Sequence, residues 1–233
     1  MKTFNILVSD ERLKPVYDTV LKRLTARGME LSEEAEFTLV LETDEAMRPD
    51  SYRITGKPEM ITVKADSLIN VFAGVGVFLY SSKFDENGII PSEKRGYKTP
   101  DCSERCVYTA THFHTFYWMA PLSEVFDYYE DLALMGINRI HIGMPFLGVA
   151  EGNKEIENAF SHLAEIQKFI KSLGMKLSTS VATSCTFLPV PDEAKTQKIF
   201  DPYGLRCEHG NKACPSTEVG QEILDKQNRM VLG

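Results

Sequence analysis

The sequence has no apolar run approaching the length of about 18 residues that a membrane-spanning helix needs, so a span is excluded and no membrane partner is expected. It has no Lys/Arg run longer than two residues, and 26 basic against 33 acidic residues leave a formal charge of −7. A phosphate-backbone partner would need a clustered basic face, so nucleic acid is not expected either. Cysteine is scarce and unpatterned. The five residues Cys102, Cys106, Cys185, Cys207 and Cys214 are odd in number and show no framework spacing, which fits a reducing compartment and predicts a cytoplasmic location. The start of the chain lacks the long apolar stretch and cleavage site of a signal peptide, because Asp10 and Glu11 interrupt the run Phe4–Val8; it reads as a first strand.

Two further absences concern ligands. Gly74-x-Gly76 lies inside an apolar helical run, not between a strand and a helix start, and no third glycine follows at dinucleotide-binding spacing. These glycines read as permitting close packing of helix on sheet. Structural zinc shows two close-spaced ligand pairs, and neither His112-x-His114 nor Cys207-x-His209 with Cys214 completes such a set. No metal and no cofactor are expected. Cys185, beside Ser184 and Thr186, has no assignable His/Asp partner and reads as a buried thiol.

What is present is an ordinary globular composition, 43% apolar and 25% charged over 233 residues, enough for one large or two small domains. Up to Pro100 the pattern predicts a strand at Phe4–Val8, a helix over Leu13–Leu24 and a strand at Phe37–Leu41. A hairpin of Ser51–Thr55 with Met60–Lys64 follows, then a helix capped by Asp66 or Ser67 and running to Ser82. Residues 85–101 are rich in breakers and charge and mark a domain boundary. Beyond them Arg105–Ala110, Asn138–Gly143 and Met175–Ala182 read as strands. Helices are expected between them, from Pro121–Ser123 to Met135 and over Asn153–Leu173, ending at Gly136 and Gly174. Pro189–Gly210 reads as a long loop before a last helix over Ser216–Met230.

Strands regularly separated by helices are the signature of βα units on a parallel sheet. The expected fold class is therefore α/β: a small α/β sandwich domain over residues 1–100, followed by an incomplete (β/α) TIM-type barrel of about three βα units over residues 101–233. A closed barrel takes roughly 250 residues, more than the 133 that follow Pro100.

Particular segments then resemble known enzymes. Ser51-Tyr-Arg-Ile-Thr, Ile61-Thr-Val-Lys-Ala-Asp and Ala73-Gly-Val-Gly-Val-Phe-Leu resemble the small domain preceding the catalytic barrel in hexosaminidase-type (family 20) and α-glucuronidase-type (family 67) glycoside hydrolases. Glu104-Arg-Cys-Val-Tyr and Tyr128-Tyr-Glu-Asp-Leu-Ala-Leu-Met-Gly-Ile-Asn-Arg-Ile look like the first strand, first helix and second strand of that barrel. Cys214-Pro-Ser resembles a phrase that precedes the third barrel helix. The resemblance implies the N-terminal part of a glycoside hydrolase, with a carbohydrate substrate. It also implies that the catalytic acidic pair belongs to a later strand than this chain reaches. The Asp and Arg that hexosaminidase-type enzymes carry late in the first strand have no counterpart at Ala110, Thr111, His112, Phe113 and His114.

Barrel enzymes place substrate contacts at the C-terminal ends of their strands. The stretch after the first strand supplies His112, His114, Tyr117 and Trp118, the only tryptophan, as candidate substrate-binding residues: histidines for sugar hydroxyls and aromatics for the apolar face of a pyranose ring. The bland alternative is packing under a long loop. His141 alternates inside the second strand and reads as a barrel-interior or satisfied core histidine. Glycoside hydrolysis needs two carboxyl groups roughly 5 to 9.5 Å apart. Glu151, Asp192, Glu193, Asp201 and Glu208 are available in loops but read as solvated charge, so no catalytic residue is assigned. The functional expectation is the N-terminal portion of a glycoside hydrolase-like protein, inactive by itself. The alternative is a non-catalytic carbohydrate-binding or structural module. An open barrel edge predicts homo-oligomerisation.

Overall fold

The computed structural model describes residues 1–110, 116–143, 154–180, 185–186, 188–195 and 211–232. The chain divides into two compact units, one of Met1–Val107, Ser123–Ile140 and Gln167–Leu177, the other of Tyr108–Leu122, His141–Ile166 and Ser178–Gly233.

The first unit opens with β1 (Thr3–Val8). A short 3-10 turn over Glu11–Leu13 follows, capped by the Asp10 carboxylate, which accepts from the Arg12 amide at 2.7 Å. It leads into α1 (Lys14–Thr25), where Pro15 occupies the first turn and costs no hydrogen bond. Then come β2 (Glu30–Leu31) and β3 (Phe37–Thr43), in which Phe37, Leu39 and Leu41 are fully buried and their neighbours half-buried, the alternation of a one-sided strand. Next, β4 (Tyr52–Lys57) and β5 (Met60–Ala65) form the expected hairpin. At its bend Gly56 has φ +102, and a Cβ there would lie 2.1 Å from the Met60 carbonyl oxygen. The helix α2 (Leu68–Ser81) follows, flanked by Ser67 and Ser82.

The segment read as a breaker-rich boundary carries ordered pairing. A small hairpin joins β6 (Lys83–Asp85) to β7 (Gly88–Ile90), and β8 (Gly96–Lys98) pairs antiparallel with β4. The resulting sheet has the order β2-β1-β3-β5-β4-β8, with β1, β3 and β5 parallel.

The remaining elements are β9 (Cys106–Thr109), the short helix α3 (Phe116–Met119), α4 (Leu122–Leu134) and β10 (Arg139–Gly143). After these come α5 (Lys154–Ser172), β11 (Lys176–Ser180), β12 (Cys185–Thr186), β13 (Asn211–Lys212) and α6 (Glu218–Leu232).

Within the first unit α2 is apolar almost all round, as a helix buried on both sides must be. Its two central glycines face different neighbours. A Cβ on Gly74 would lie 2.6 Å from Val63 Cγ1, so this glycine seats the helix on the sheet as expected. A Cβ on Gly76 would lie 1.7 Å from the Leu134 carbonyl oxygen, so this one admits the end of α4 instead. Between α1 and α4, Arg23 pairs with Asp131 at 2.9 Å and Lys22 with Asp127 at 2.5 Å and with Glu130. Phe126 of α4 stacks on Phe169 of α5, ring centroids 4.0 Å apart.

One ion pair ties a loop of the small sheet to the chain entering β9. The Arg105 guanidinium grips Asp50 with two bonds, 2.7 and 2.9 Å, and donates through Nε to the Gly136 carbonyl at 2.6 Å. Asp50 is the one non-glycine residue with positive φ (57°) among the described residues. Asp66 accepts from the backbone amides of Asp50 and Ser51 and so holds this bend.

The strands β9, β10 and β11 form one sheet in the order β11-β10-β9. Its register advances in the same direction on all three strands. Asn138 N donates to the Arg105 carbonyl while Thr109 Oγ1 reaches that of His141; Lys176 N donates to the Asn138 carbonyl while Thr179 Oγ1 reaches that of Ile142. The strands are therefore parallel, with α4 and α5 as the intervening helices. A small α/β sandwich followed by successive βα units is the fold class expected from the sequence. The helix stops agree as well: Gly136 and Gly174 have φ +82 and +80 and follow the last turns of α4 and α5.

The second unit has its own small core of Val190, Ala194, Ala213 and Leu224 with Ile223 against it. The β12 and β13 pairing, Cys185 with Lys212 and Thr186 with Asn211, was not foreseen in the sequence.

Candidate functional site

Alternation along β10 separates two rows of side chains. Ile140 and Ile142 are buried, while His141 between them is half-buried. In the second unit His141 meets two serines of β11: its Nδ1 lies 3.0 Å from Ser178 Oγ and its Nε2 2.6 Å from Ser180 Oγ. Both ring nitrogens are thus in hydrogen-bond reach of hydroxyls. The Tyr108 ring of β9 stands 5.5 Å from the imidazole at a 45° tilt, and partial burial pushes its phenol up from the ordinary range. The histidine expected to be satisfied is satisfied, by two partners 37 and 39 positions away.

In the first unit the start of the same strands carries charge. The Glu104 carboxylate takes a bond from Arg139 Nε and one from Lys176 Nζ at 3.2 Å. These two cations pull the Glu104 carboxyl down to about 2, Arg139 first.

Of the substrate-binding residues expected from the sequence, His112 and His114 lie outside the described residues, as does the side chain of Trp118, whose backbone belongs to α3. Tyr117 is half-buried in α3, with its ring edge-on to Phe116 at 5.6 Å. Among the carboxylates, Glu151, Asp201 and Glu208 lie outside the described residues. Asp192 and Glu193 form an exposed 3-10 turn, and Asp192 bonds Lys195 at 2.5 Å, which holds its carboxyl below the usual range. Among the described residues no three His, Cys, Asp or Glu side chains are grouped as metal ligands, and no helix is long and apolar enough to cross a membrane. Cys102 and Cys106 are exposed free thiols and Cys214 a half-buried one.

No protein-family model and no curated protein matches this sequence. Solved structures do. The family 20 exo β-N-acetylglucosaminidase of Vibrio harveyi, in an inactive mutant form, superposes with a TM-score of 0.69 at 12% identity, over 99% of this chain and 41% of that one. The chitobiase of Flavobacterium johnsoniae gives 0.65 at 17% identity, over 100% of this chain and 40% of that one. The family 20 β-N-acetylhexosaminidase of Streptomyces coelicolor gives 0.62 at 15%, over 95% and 51%. The likeness is one of fold. The chain has the fold of part of these family 20 glycoside hydrolases, and it spans about half or less of their length.

The cluster of His141 with Ser178, Ser180 and Tyr108 was only partly visible beforehand. His141 stood out as an inward-alternating histidine. The alternation of Ser178 and Ser180 through Leu177 and Thr179 was the signal for the rest, but it does not say which strand lies alongside.

Proposed function

We propose that this chain is the N-terminal portion of a glycoside hydrolase-like protein acting on glycosidic bonds of oligo- or polysaccharides. The domain reading that goes with it is an N-terminal α/β domain over residues 1–100 and the first part of a (β/α)8 catalytic barrel over residues 101–233. The observation that carries the proposal is the superposition of 99% of the chain on a family 20 exo-β-N-acetylglucosaminidase, with its βα strands in parallel order. Two neighbours support a sugar as partner: the Vibrio harveyi enzyme is described with bound N-acetylglucosamine and the Streptomyces plicatus β-hexosaminidase with GlcNAc as product. In this reading the substrate contacts are His112, His114, Tyr117 and Trp118, which follow the C-terminal end of β9, the end where barrel enzymes bind their substrates. The cysteine usage favours a reducing, cytoplasmic compartment.

The catalytic carboxylates belong, in this reading, outside the chain, which by itself binds sugar without turning it over. The alternative is a non-catalytic carbohydrate-binding or structural module, for which the same absence of turnover is expected. The test is titration calorimetry of the 233-residue chain with N-acetylglucosamine and chitooligosaccharides, beside an assay with the p-nitrophenyl β-glycoside of N-acetylglucosamine. Binding that is lost in Trp118→Ala, with no release of nitrophenol, is the expected result. Turnover would overturn the inactivity, and absence of any sugar binding would leave fold ancestry alone. Size-exclusion chromatography tests the expected homo-oligomer.

A further inference from the structure

We infer that Ser180 is an activated nucleophile, and that with His141 as its base the chain cleaves short-chain acyl esters through a covalent acyl-serine. The inference is independent of the glycosidase reading, since it uses residues and a bond type that reading does not. A serine hydroxyl is a weak nucleophile until a base stands within about 2.6 to 3.2 Å of it and that base is oriented by a third group. The second unit holds this arrangement: Ser180 Oγ to His141 Nε2 at 2.6 Å, and His141 Nδ1 to Ser178 Oγ at 3.0 Å. Ser180 is exposed and His141 half-buried, so the nucleophile is open to substrate while the base is partly shielded. All three groups project from regular strands, which fix their directions more firmly than loops do. The half-exposed Tyr108 ring beside the imidazole offers an apolar rest for the acyl chain.

In the reaction, Ser180 Oγ attacks the ester carbonyl carbon as its proton passes to His141 Nε2. Collapse of the tetrahedral adduct breaks the carbon–oxygen bond to the alcohol, which takes that proton as it leaves. Water then attacks the acyl-serine, giving its proton to His141 Nε2. The carboxylic acid departs, and the proton returns to Ser180 Oγ. Ser178 acts through the histidine: its hydroxyl accepts from Nδ1–H and leaves Nε2 free to accept, which makes it a positioning residue. A hydroxyl stabilises the imidazolium less than a carboxylate does, so both steps are slow; with an aryl ester, whose phenolate leaves readily, deacylation is the slower of the two and the acyl-serine accumulates.

The probe is p-nitrophenyl acetate with the full 233-residue chain. The expected result is a burst of nitrophenol followed by slow turnover, with one acetyl group located on Ser180 by peptide mass spectrometry. A fluorophosphonate should label the same residue. Ser180→Ala should remove the burst and the label, and His141→Gln should slow acylation by about a hundredfold. Ser178→Ala should slow it by roughly tenfold, with recovery in Ser178→Thr, which keeps the hydroxyl and so separates orientation from mere packing. Acetyl found only on lysines or the N-terminus, or a burst unchanged in Ser180→Ala, overturns the proposal. The location of the adduct is read on the unsubstituted protein, so it does not depend on any variant folding. Sugar binding without acylation would refute this site and leave the carbohydrate reading standing, and the reverse result would do the opposite.

Discussion

In the six-stranded sheet the row that is not buried carries Thr38 and Val40 on β3 and Thr55 and Thr62 on β4 and β5, with Lys64 paired to Glu42 at 2.9 Å. In the three-stranded sheet the alternate row to Ile140 and Ile142 carries Arg139, engaged by Glu104 just ahead of β9, and His141, engaged by two serines of β11. Both sheets bury an aliphatic row by the same period-two alternation. The first sheet spends its other row on β-branched residues that suit a pleated surface and on the Lys64–Glu42 ion pair. The second spends it on an acid with two bases and on a histidine with two hydroxyls. Stability in both sheets should therefore lie in one row, and chemistry in the other row of the second sheet only.

The largest effects should come from the aliphatic rows. Leu39→Ala and Ile140→Ala, both fully buried, should each cost about 3 to 4 kcal/mol in urea unfolding, whereas Thr62→Ala and Ser178→Ala should stay below about 1 kcal/mol. If Ile140→Ala cost as little as Ser178→Ala, the three-stranded sheet would lack a packed side and the parallel between the sheets would break.

A glycine pair sharpens the same point about close packing. Gly76→Ala drives a Cβ into the Leu134 carbonyl and should cost about 3 kcal/mol, because backbone of α4 must move. Gly28→Ala meets nothing within 4 Å and carries only the strain of φ +78, so about 1 kcal/mol is expected. Equal melting temperatures for the two variants would mean that α2 does not seat against α4 as described.

Next in size is the link from Asp50 to Arg105. With side chains 22% and 16% exposed, removing one partner strands the other largely out of water. Arg105→Ala should cost about 2 kcal/mol, and Arg105→Lys most of that, since an ammonium cannot grip both carboxylate oxygens and the Gly136 carbonyl together. Chemical denaturation of the two variants and of Asp50→Ala, in a double-mutant cycle, isolates the pair.

Much of this was legible in the sequence where side chains speak for the backbone. The alternation of Phe37, Leu39 and Leu41, the apolar run of α2 and the glycine stops after α4 and α5 each name an element within a residue or two of its ends. What escaped were pairings made by backbone alone. Gly96–Lys98 and Gly88–Ile90 are three residues long, too short to show a period, and their Gly and Pro neighbours read as a boundary. The two-residue ladder of Cys185 and Thr186 escaped for the same reason. At the site, the residue types were visible but their partners were not. That Ser178 and Ser180 meet His141 depends on which strand lies beside which, and only the fold decides that.

The smallest effect separates the charged group of the second sheet from the hydroxyl-bonded one by pH. Glu104 has its carboxyl held at about 2, against an ordinary 4.5, by Arg139 and then Lys176. A carboxyl lowered on folding binds its proton more weakly in the folded chain than in the unfolded one. Its contribution to stability is therefore complete above pH 4.5 and is lost progressively as pH falls toward 2. Glu104→Gln should make the acid limb of the stability profile shallower across that window and leave stability near pH 7 only slightly lower, since the pair is exposed and screened. The limb should not vanish, because Asp10, Glu36 and Asp192 are also held below their usual range. Thermal melts of both proteins between pH 2 and pH 7 measure this. An identical acid limb in the two would mean that the two cations do not hold Glu104 in solution, and the charged group would then be no better organised than the Lys64–Glu42 pair of the first sheet.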